Sequence, residues 1–317
     1  MNPAAITTLQ HHLTEALSAV PDEARRLFHG RGRCWPGLEQ ITVDWLCGVL
    51  LVALYREPSE DELEALKQML LALTQSPVWS QSQAQHLLLQ HRYQLGSSTD
   101  YLYGAPIAET VVIEHGLQYK LDFGQKQNSG LFLDMRFGRQ WVQAQAQGQR
   151  VLNLFAYTCG FSVTAIEGGA AHVVNLDMAK AALSRGRENH RLNQHDLSRV
   201  SFLGHELFKS WGKVKKCGPY DLVIIDPPSF QKGSFALTQD YQKILRRLPE
   251  LLTEQGTVLA CVNDPDIGPE FLLAGMAEHA PSLSFVERLA NQPEFADINP
   301  DSGLKALVFK RSSAATD

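Results

Sequence analysis

Val151-Leu152-Asn153-Leu154-Phe155-Ala156-Tyr157-Thr158-Cys159-Gly160-Phe161 runs from a short apolar segment through a tight turn into a stretch that reads as helix from about Ser162. Apolar runs of similar length recur at 171–176, 200–203, 222–225 and 257–262, with helical stretches between them. Strands alternating with helices at this rhythm build a parallel sheet with helices on both faces, because each parallel connection must cross the sheet and does so right-handedly. Two last runs, 283–287 and 306–309, are expected to close the sheet as an antiparallel pair. The fold class predicted is therefore α/β: a Rossmann-like, doubly wound, mostly parallel sheet with an antiparallel C-terminal strand, plus a smaller N-terminal domain.

Ligands of such sheets bind beyond the carboxyl ends of the strands, where successive connections diverge to opposite faces. The turn 155–160 is thus the first place to look. It holds a single glycine, Gly160, whereas a dinucleotide site needs repeated glycines so that a pyrophosphate can approach the backbone and a helix N-terminus. NAD and FAD are disfavoured on that ground. S-adenosylmethionine carries no phosphate; it needs backbone contact to its methionine part, an acidic acceptor for the ribose hydroxyls and a slot for adenine. The turn at Tyr157 and Gly160 can supply the first, Asp177 at the end of the second strand the next, and Glu206 after the third strand an acceptor for the adenine amino group. Either acid taken singly also fits a helix N-cap or a solvated loop. Together and in this order they point to S-adenosylmethionine as cofactor.

Asp226-Pro227-Pro228-Ser229-Phe230 follows the apolar run 222–225, so its carboxylate is expected at the same edge of the sheet as the cofactor turn. The paired prolines stiffen the loop and carry no N–H donors, and Phe230 offers a flat face on which an extruded base can stack. Asp226, Pro227, Pro228 and Phe230 are accordingly the catalytic candidates, with a rigid strand-exit loop and a core phenylalanine as the bland reading. Methyl transfer asks chiefly for in-line positioning and exclusion of water. An exocyclic amine would be held by acceptors such as Asp226, also counted among the cofactor contacts, and the Pro227 carbonyl; guanine N7 already presents its lone pair. Cytosine C5 is different, since it becomes nucleophilic only after a cysteine thiolate adds to C6. Cys261, on the next strand, is the candidate for that role, although free cysteine is more often simply buried.

From about Gly116 onward the chain resembles the bacterial large-subunit 23S rRNA methyltransferases, class I enzymes that modify guanine N7 or cytosine C5. The resemblance is carried by Ser129-Gly130-Leu131-Phe132-Leu133-Asp134-Met135-Arg136, Asn153-Leu154-Phe155-Ala156-Tyr157-Thr158, Gly168-Gly169-Ala170, Asp177 and the 226–230 loop. It implies cofactor contacts for Asp134, Arg136, Asn153 and Phe155. It also implies that the cytosine nucleophile, counted from Gly256, would fall at Asn263, where guanine-modifying members have asparagine. The expected activity is thus RNA base methylation on 23S rRNA at a guanine nitrogen, with cytosine-C5 methylation through Cys261 as the alternative. One departure is Cys159, which stands where the family usually has glycine.

Bulk properties bound the rest. A chain of 317 residues with 44% hydrophobic content has ample material for a core, and no run reaches the length of a membrane span. With no signal-peptide series at its start, a cytoplasmic protein is expected. The five cysteines are scattered and read as free thiols, and no metal-ligand spacing is seen. A net charge of −5 gives no global attraction to nucleic acid, though Arg31 and Arg33, Lys213, Lys215 and Lys216, and Arg246 and Arg247 form local basic clusters. The expected division is an N-terminal domain over 1–98, a linking hairpin over 99–127 and the methyltransferase domain over 128–317. Arg26-Leu27-Phe28-His29-Gly30-Arg31-Gly32 loosely resembles the opening of an RNA-binding PUA-like module, which suggests RNA docking by the first domain. The partner expected is rRNA or a ribosomal particle. Two other functions fit the acidic balance: a cofactor-binding assembly factor without catalysis, and methylation of a protein or small molecule.

Overall fold

The structure, a computed structural model, describes residues 1–123, 128–231 and 234–311. The chain forms two compact units, one of Met1–Leu133 with Gln292–Pro300, the other of Asp134–Asn291 with the residues from Asp301 onward.

In the first unit, helix α1 (Pro3–Leu17) starts at Asn2, whose side chain accepts the Ala5 N–H, and buries Ala5, Leu9, Leu13 and Leu17 along one stripe. Strands β1 (Arg25–His29), β2 (Ile41–Trp45), β3 (Val49–Leu54), β4 (His86–His91) and β5 (Thr99–Tyr103) form a sheet in that order, with β3 and β4 parallel and the other pairs antiparallel. Between β3 and β4 lie α2 (Glu60–Thr74) and α3 (Pro77–Ser82). Ser59 and Glu62 form a full capping box on α2. The segment 41–54, an apolar run with β-branched residues whose periodicity fits a strand pair or a buried helix equally, is the β2–β3 hairpin. A boundary at 98 would separate two paired strands, because Gly96 (φ 85°) and Ser97 (φ 49°) belong to the turn that returns the chain from β4 to β5. The hairpin expected within 99–127 is β6 (Glu109–Glu114) with β7 (Leu117–Asp122), turning through His115 and Gly116, and it falls within this unit. Residues 292–300 return to it as well: Ile298 N–H donates to Gly32 O, Arg33 pairs with Asp297 at 2.8 Å, and a Cβ at Gly32 would meet Ala296 O at 1.8 Å.

The second unit is the doubly wound sheet. Its strands are β8 (Arg150–Leu154), β9 (His172–Leu176), β10 (Val200–Leu203), β11 (Tyr220–Ile225), a small hairpin of β12 (Phe230–Gln231) and β13 (Phe235–Ala236), then β14 (Leu252–Val262), β15 (Leu283–Arg288) and β16 (Lys305–Arg311). The large sheet runs β10-β9-β8-β11-β14-β16-β15. The first five are parallel, and β16 is antiparallel to both its neighbours. The helices are α4 (Arg136–Gln145), α5 (Gly160–Glu167), α6 (Lys180–Leu192), α7 (Trp211–Cys217), α8 (Leu237–Leu245), α9 (Leu248–Leu251) and α10 (Glu270–His279). Alternate strand residues feed two cores. Leu152, Val174, Val223 and Val258 pack with α7, α8 and α10. Val151, Val173, Ile224 and Leu259 pack with α4 and α5 on the opposite face. Among the described residues no helix is long and apolar enough to cross a membrane.

Candidate active site

The connections after β8 and β9 lead one way along the sheet and those after β11 the other, so the switch point lies between β8 and β11. Those two strands are neighbours, in register Leu154 to Ile225. The turn 155–160 and the loop 226–230 therefore leave the sheet side by side, where open α/β sheets bind ligands.

The turn is wound unusually. Phe155, Tyr157 and Cys159 have φ of 56°, 47° and 63°, a left-handed conformation that non-glycine residues adopt at a cost of order 1 kcal/mol each. Cys159 carries its side chain away from the turn into a fully buried contact with α6: a Cβ on Gly186 would lie 2.3 Å from its Sγ. A glycine missing from the turn is thus matched by a glycine on the helix facing it. Asp177, at the tip of β9, fastens the turn from the other side. Its Oδ2 accepts the Tyr157 N–H at 2.8 Å and its Oδ1 the Ala179 N–H at 2.7 Å. Burial raises its pKa above the usual carboxylate value against the pull of those two bonds.

A narrow cleft opens beside the turn, lined by Phe155, Asp177, Glu206, Phe208 and Phe235 among others. Apolar faces against two carboxylates suit a flat heterocycle with hydroxyl and amino donors, which is the chemistry of an adenosine moiety. Glu206 also caps the short 3₁₀ turn after β10, accepting the Phe208 N–H at 2.8 Å, so both readings of this acid hold at once. Gly160 opens α5 at the end of the turn. Asn153 lies one residue inside the sheet and is buried; its amide donates to Asn175 Oδ1 at 2.9 Å, and Asn175 donates on to Ser162. That side chain holds the strands and α5 together beneath the cleft.

At the tip of β11, burial pushes the pKa of Asp226 up to about 7, helped by the nearby Asp134 charge and opposed by Arg139. Asp134 precedes α4 and accepts a hydrogen bond from Asn263 Nδ2 at 2.6 Å, which ties it to the end of β14. Arg136 is buried on the first turn of α4. Pro227 is buried, while Pro228 and Phe230 are exposed, Phe230 by 69%. Cys261 is fully buried, its carbonyl accepting from Tyr241 Oη at 3.2 Å, and burial together with the two aspartates raises its thiol pKa well above the ordinary value. Sequence reasoning did not single out Arg139, Phe208 or Phe235. Arg139 lies three residues after Arg136 and hence on the same helix face, a signal that was available; the two phenylalanines carry no comparable mark. Among the described residues no group of three or more histidine, cysteine or acidic side chains could hold a metal.

A doubly wound sheet whose switch point carries a strained, glycine-poor turn, an acidic strand tip and a proline-stiffened Asp226 loop fits an enzyme of the S-adenosylmethionine-dependent methyltransferase class. The chain belongs to that family: the model of the S-adenosylmethionine-dependent methyltransferases matches residues 25–310. It is 31% identical over 286 residues to ribosomal RNA large subunit methyltransferase I of Aeromonas salmonicida, covering 89% of this chain and 67% of that one. It is also 31% identical to ribosomal RNA large subunit methyltransferase K/L of Hahella chejuensis over 234 residues, 70% of this chain and 32% of the other. In fold it is similar to a Streptococcus mutans protein assigned as an S-adenosylmethionine-dependent methyltransferase, with a TM-score of 0.84 at 24% identity over 97% of this chain and 81% of that one. A further structure with a TM-score of 0.84, at 23% identity and with the same coverage, was solved with S-adenosylhomocysteine bound. S-adenosylmethionine is the cofactor, and the cleft's lining fits it.

Proposed function

We propose that the protein methylates a guanine nitrogen of large-subunit ribosomal RNA, in the cytoplasm. The relatives' names support the RNA class, and the observation that carries the choice of base is the pair of carboxylates, Asp226 and Asp134, electrostatically coupled beside the cofactor turn. Guanine's N1–H and N2–H are donors, and a site built of acceptors suits that edge. When bound, the cofactor supplies an electrophilic sulfonium methyl. The chain's own residues do the rest. Asp226 in its ionised form and the Pro227 carbonyl accept from the base, Phe230 stacks on it, and the rigid turn and loop hold acceptor and donor in line. For an exocyclic nitrogen, which must lose a proton, Asp226 with a pKa of about 7 is suited to take it. Cytosine C5 chemistry is disfavoured because the Cys261 thiol is shut in the core. In this reading the first unit docks RNA; there the guanidinium groups of Arg31 and Arg92 lie 4.3 and 4.9 Å from the Tyr55 ring centroid.

The test is nucleoside mass spectrometry of rRNA from a deletion strain before and after incubation with the protein and methyl-labelled cofactor. A methyl gained on guanosine is expected. Methylation of cytidine at C5, or label entering protein alone, would overturn the assignment.

A further inference from the structure

Beside the cofactor cleft, and sharing Phe208, Gln231, Ser234 and Phe235 with it, lies a wider, open groove. We propose that this groove is a track for single-stranded RNA, carrying the nucleotides that flank the base delivered to Asp226; the inference rests on the RNA reading above.

Its walls combine two chemistries. Phe208, Trp211 and the exposed Phe230 supply aromatic faces, and Lys243, Arg246 and Arg247, all exposed, supply positive charge from the end of α8 and the turn after it. The two sets interleave. Phe208 stacks on Phe235 at an interplanar angle of 9°, Lys243 Nζ lies 5.4 Å from the Phe208 ring, and the Arg247 guanidinium lies 6.0 Å from Trp211. Aromatic platforms between cations are what a strand of unpaired nucleotides needs, since every base has a π face and every linkage a phosphate.

The charge balance supports an anionic occupant. Asp240, the acid in the lining, is engaged by Lys243 at 2.6 Å and by the Ala236 N–H at 2.7 Å. Arg247 shares Glu250 with Lys215. Arg246 bonds the neutral Gln242 side chain at 3.0 Å, which leaves its charge available to a phosphate. In a chain of net charge −5, a basic and aromatic strip contiguous with the cofactor cleft is a local departure from the acidic whole.

The experiment titrates the full chain, with cofactor present, into a fluorescein-labelled unstructured single-stranded RNA of about a dozen nucleotides and follows anisotropy at several salt concentrations. Each phosphate neutralised on a single strand contributes about −0.7 to the slope of log affinity against log salt, so Arg246 alone contributes about −0.7 and all three cations, once Lys243 and Arg247 exchange their acidic partners for phosphate, about −2. The triple variant Lys243→Gln, Arg246→Gln, Arg247→Gln is expected to flatten the slope by about 0.7 to 2 while calorimetry shows unchanged cofactor affinity. Phe230→Ala is expected to weaken binding about tenfold at constant slope. Cofactor binding by the triple variant verifies its fold, and Arg246→Glu alone, at an exposed position, gives a second measure of the same charge effect. An unaltered slope in the triple variant, or a wild-type preference for duplex of the same sequence, overturns the track. If the slope flattens but no guanosine is methylated, the track stands and the choice of base falls. If guanosine is methylated and the triple variant binds RNA as wild type does, the reverse holds.

Discussion

Replacing Asp226 with asparagine keeps the shape of the side chain and removes its charge, and the structure fixes what should follow. The carboxyl is moved from the usual 3.8 to about 7, first by burial and then by the charge of Asp134. If the ionised form is the one that accepts from the base, about a tenth of the enzyme is competent one pH unit below that value and about nine-tenths one unit above, so kcat/KM should rise roughly tenfold across the interval and level off. The asparagine variant should lose this limb and run about 10² to 10⁴ slower at the plateau. Asp134→Asn, which removes the neighbouring charge, should shift the limb to lower pH. The same displacement has a stability consequence. A raised pKa means that the folded state binds its proton more tightly than the unfolded one, so the wild type loses stability as pH rises from about 4 to about 7, by up to about 4 kcal/mol, and the loss is constant above. Asp226→Asn should therefore melt higher than wild type at pH 8 and close to it near pH 4. Single-turnover methylation across pH, with calorimetric melting at the two extremes, is the assay. A wild-type limb centred near 4, or an asparagine variant that melts below wild type at pH 8, would falsify the argument that burial controls this group.

Three further outcomes follow from the same geometry. Gly186→Ala drives a Cβ to 2.3 Å from Cys159 Sγ and should destabilise by about 1–3 kcal/mol in urea unfolding; adding Cys159→Gly should recover most of that, and no recovery would refute the pairing of turn and helix. Asp177→Ala frees the N–H groups of Tyr157 and Ala179 and removes the acidic wall of the cleft, so calorimetric cofactor affinity should fall at least about tenfold. Cys261→Ala should retain methyl transfer and lose only about 1 kcal/mol of stability from its buried sulfur, whereas complete loss of transfer in a folded variant would favour the cytosine reaction.

The parallel sheet was legible because its strands are short apolar runs separated by helices, and every strand expected from 151 onward is present within a few residues at its ends. The segment 41–54 was not, because β2 and β3 are buried on nearly every residue and the two-residue alternation that marks a strand disappears. Strand β5 was hidden for the opposite reason: Thr99-Asp100-Tyr101-Leu102-Tyr103 is half-exposed, and Gly96-Ser97-Ser98 looks the same whether it links domains or turns a hairpin. The return of 292–300 to the first unit depends on contacts some 260 residues apart, such as Arg33 with Asp297, which no local pattern carries. At the site, residue types and strand ends were enough to bring Asp177, Glu206, Phe155 and Asp226 to one edge of the sheet. Side-chain direction was beyond reach. Asn153 turns inward to Asn175, and the Glu206 carboxylate caps a turn while it lines the cleft.

Strand β16 is formed by Lys305–Arg311 yet lies inside the sheet, bonded to β14 on one side and to β15 on the other. The order of assembly is constrained as a result. When β15 has been synthesised, the slot beside β14 is still open, and β15 has no ladder to join until β16 enters between them, across more than 40 residues from its β14 partners. Closure of this half of the sheet is therefore a late, high-contact-order event, and until it occurs the edge of β14 is bare to other chains. Once closed, the backbone amides of β16 should be among the slowest in the unit to exchange with solvent, and β15 should open together with it.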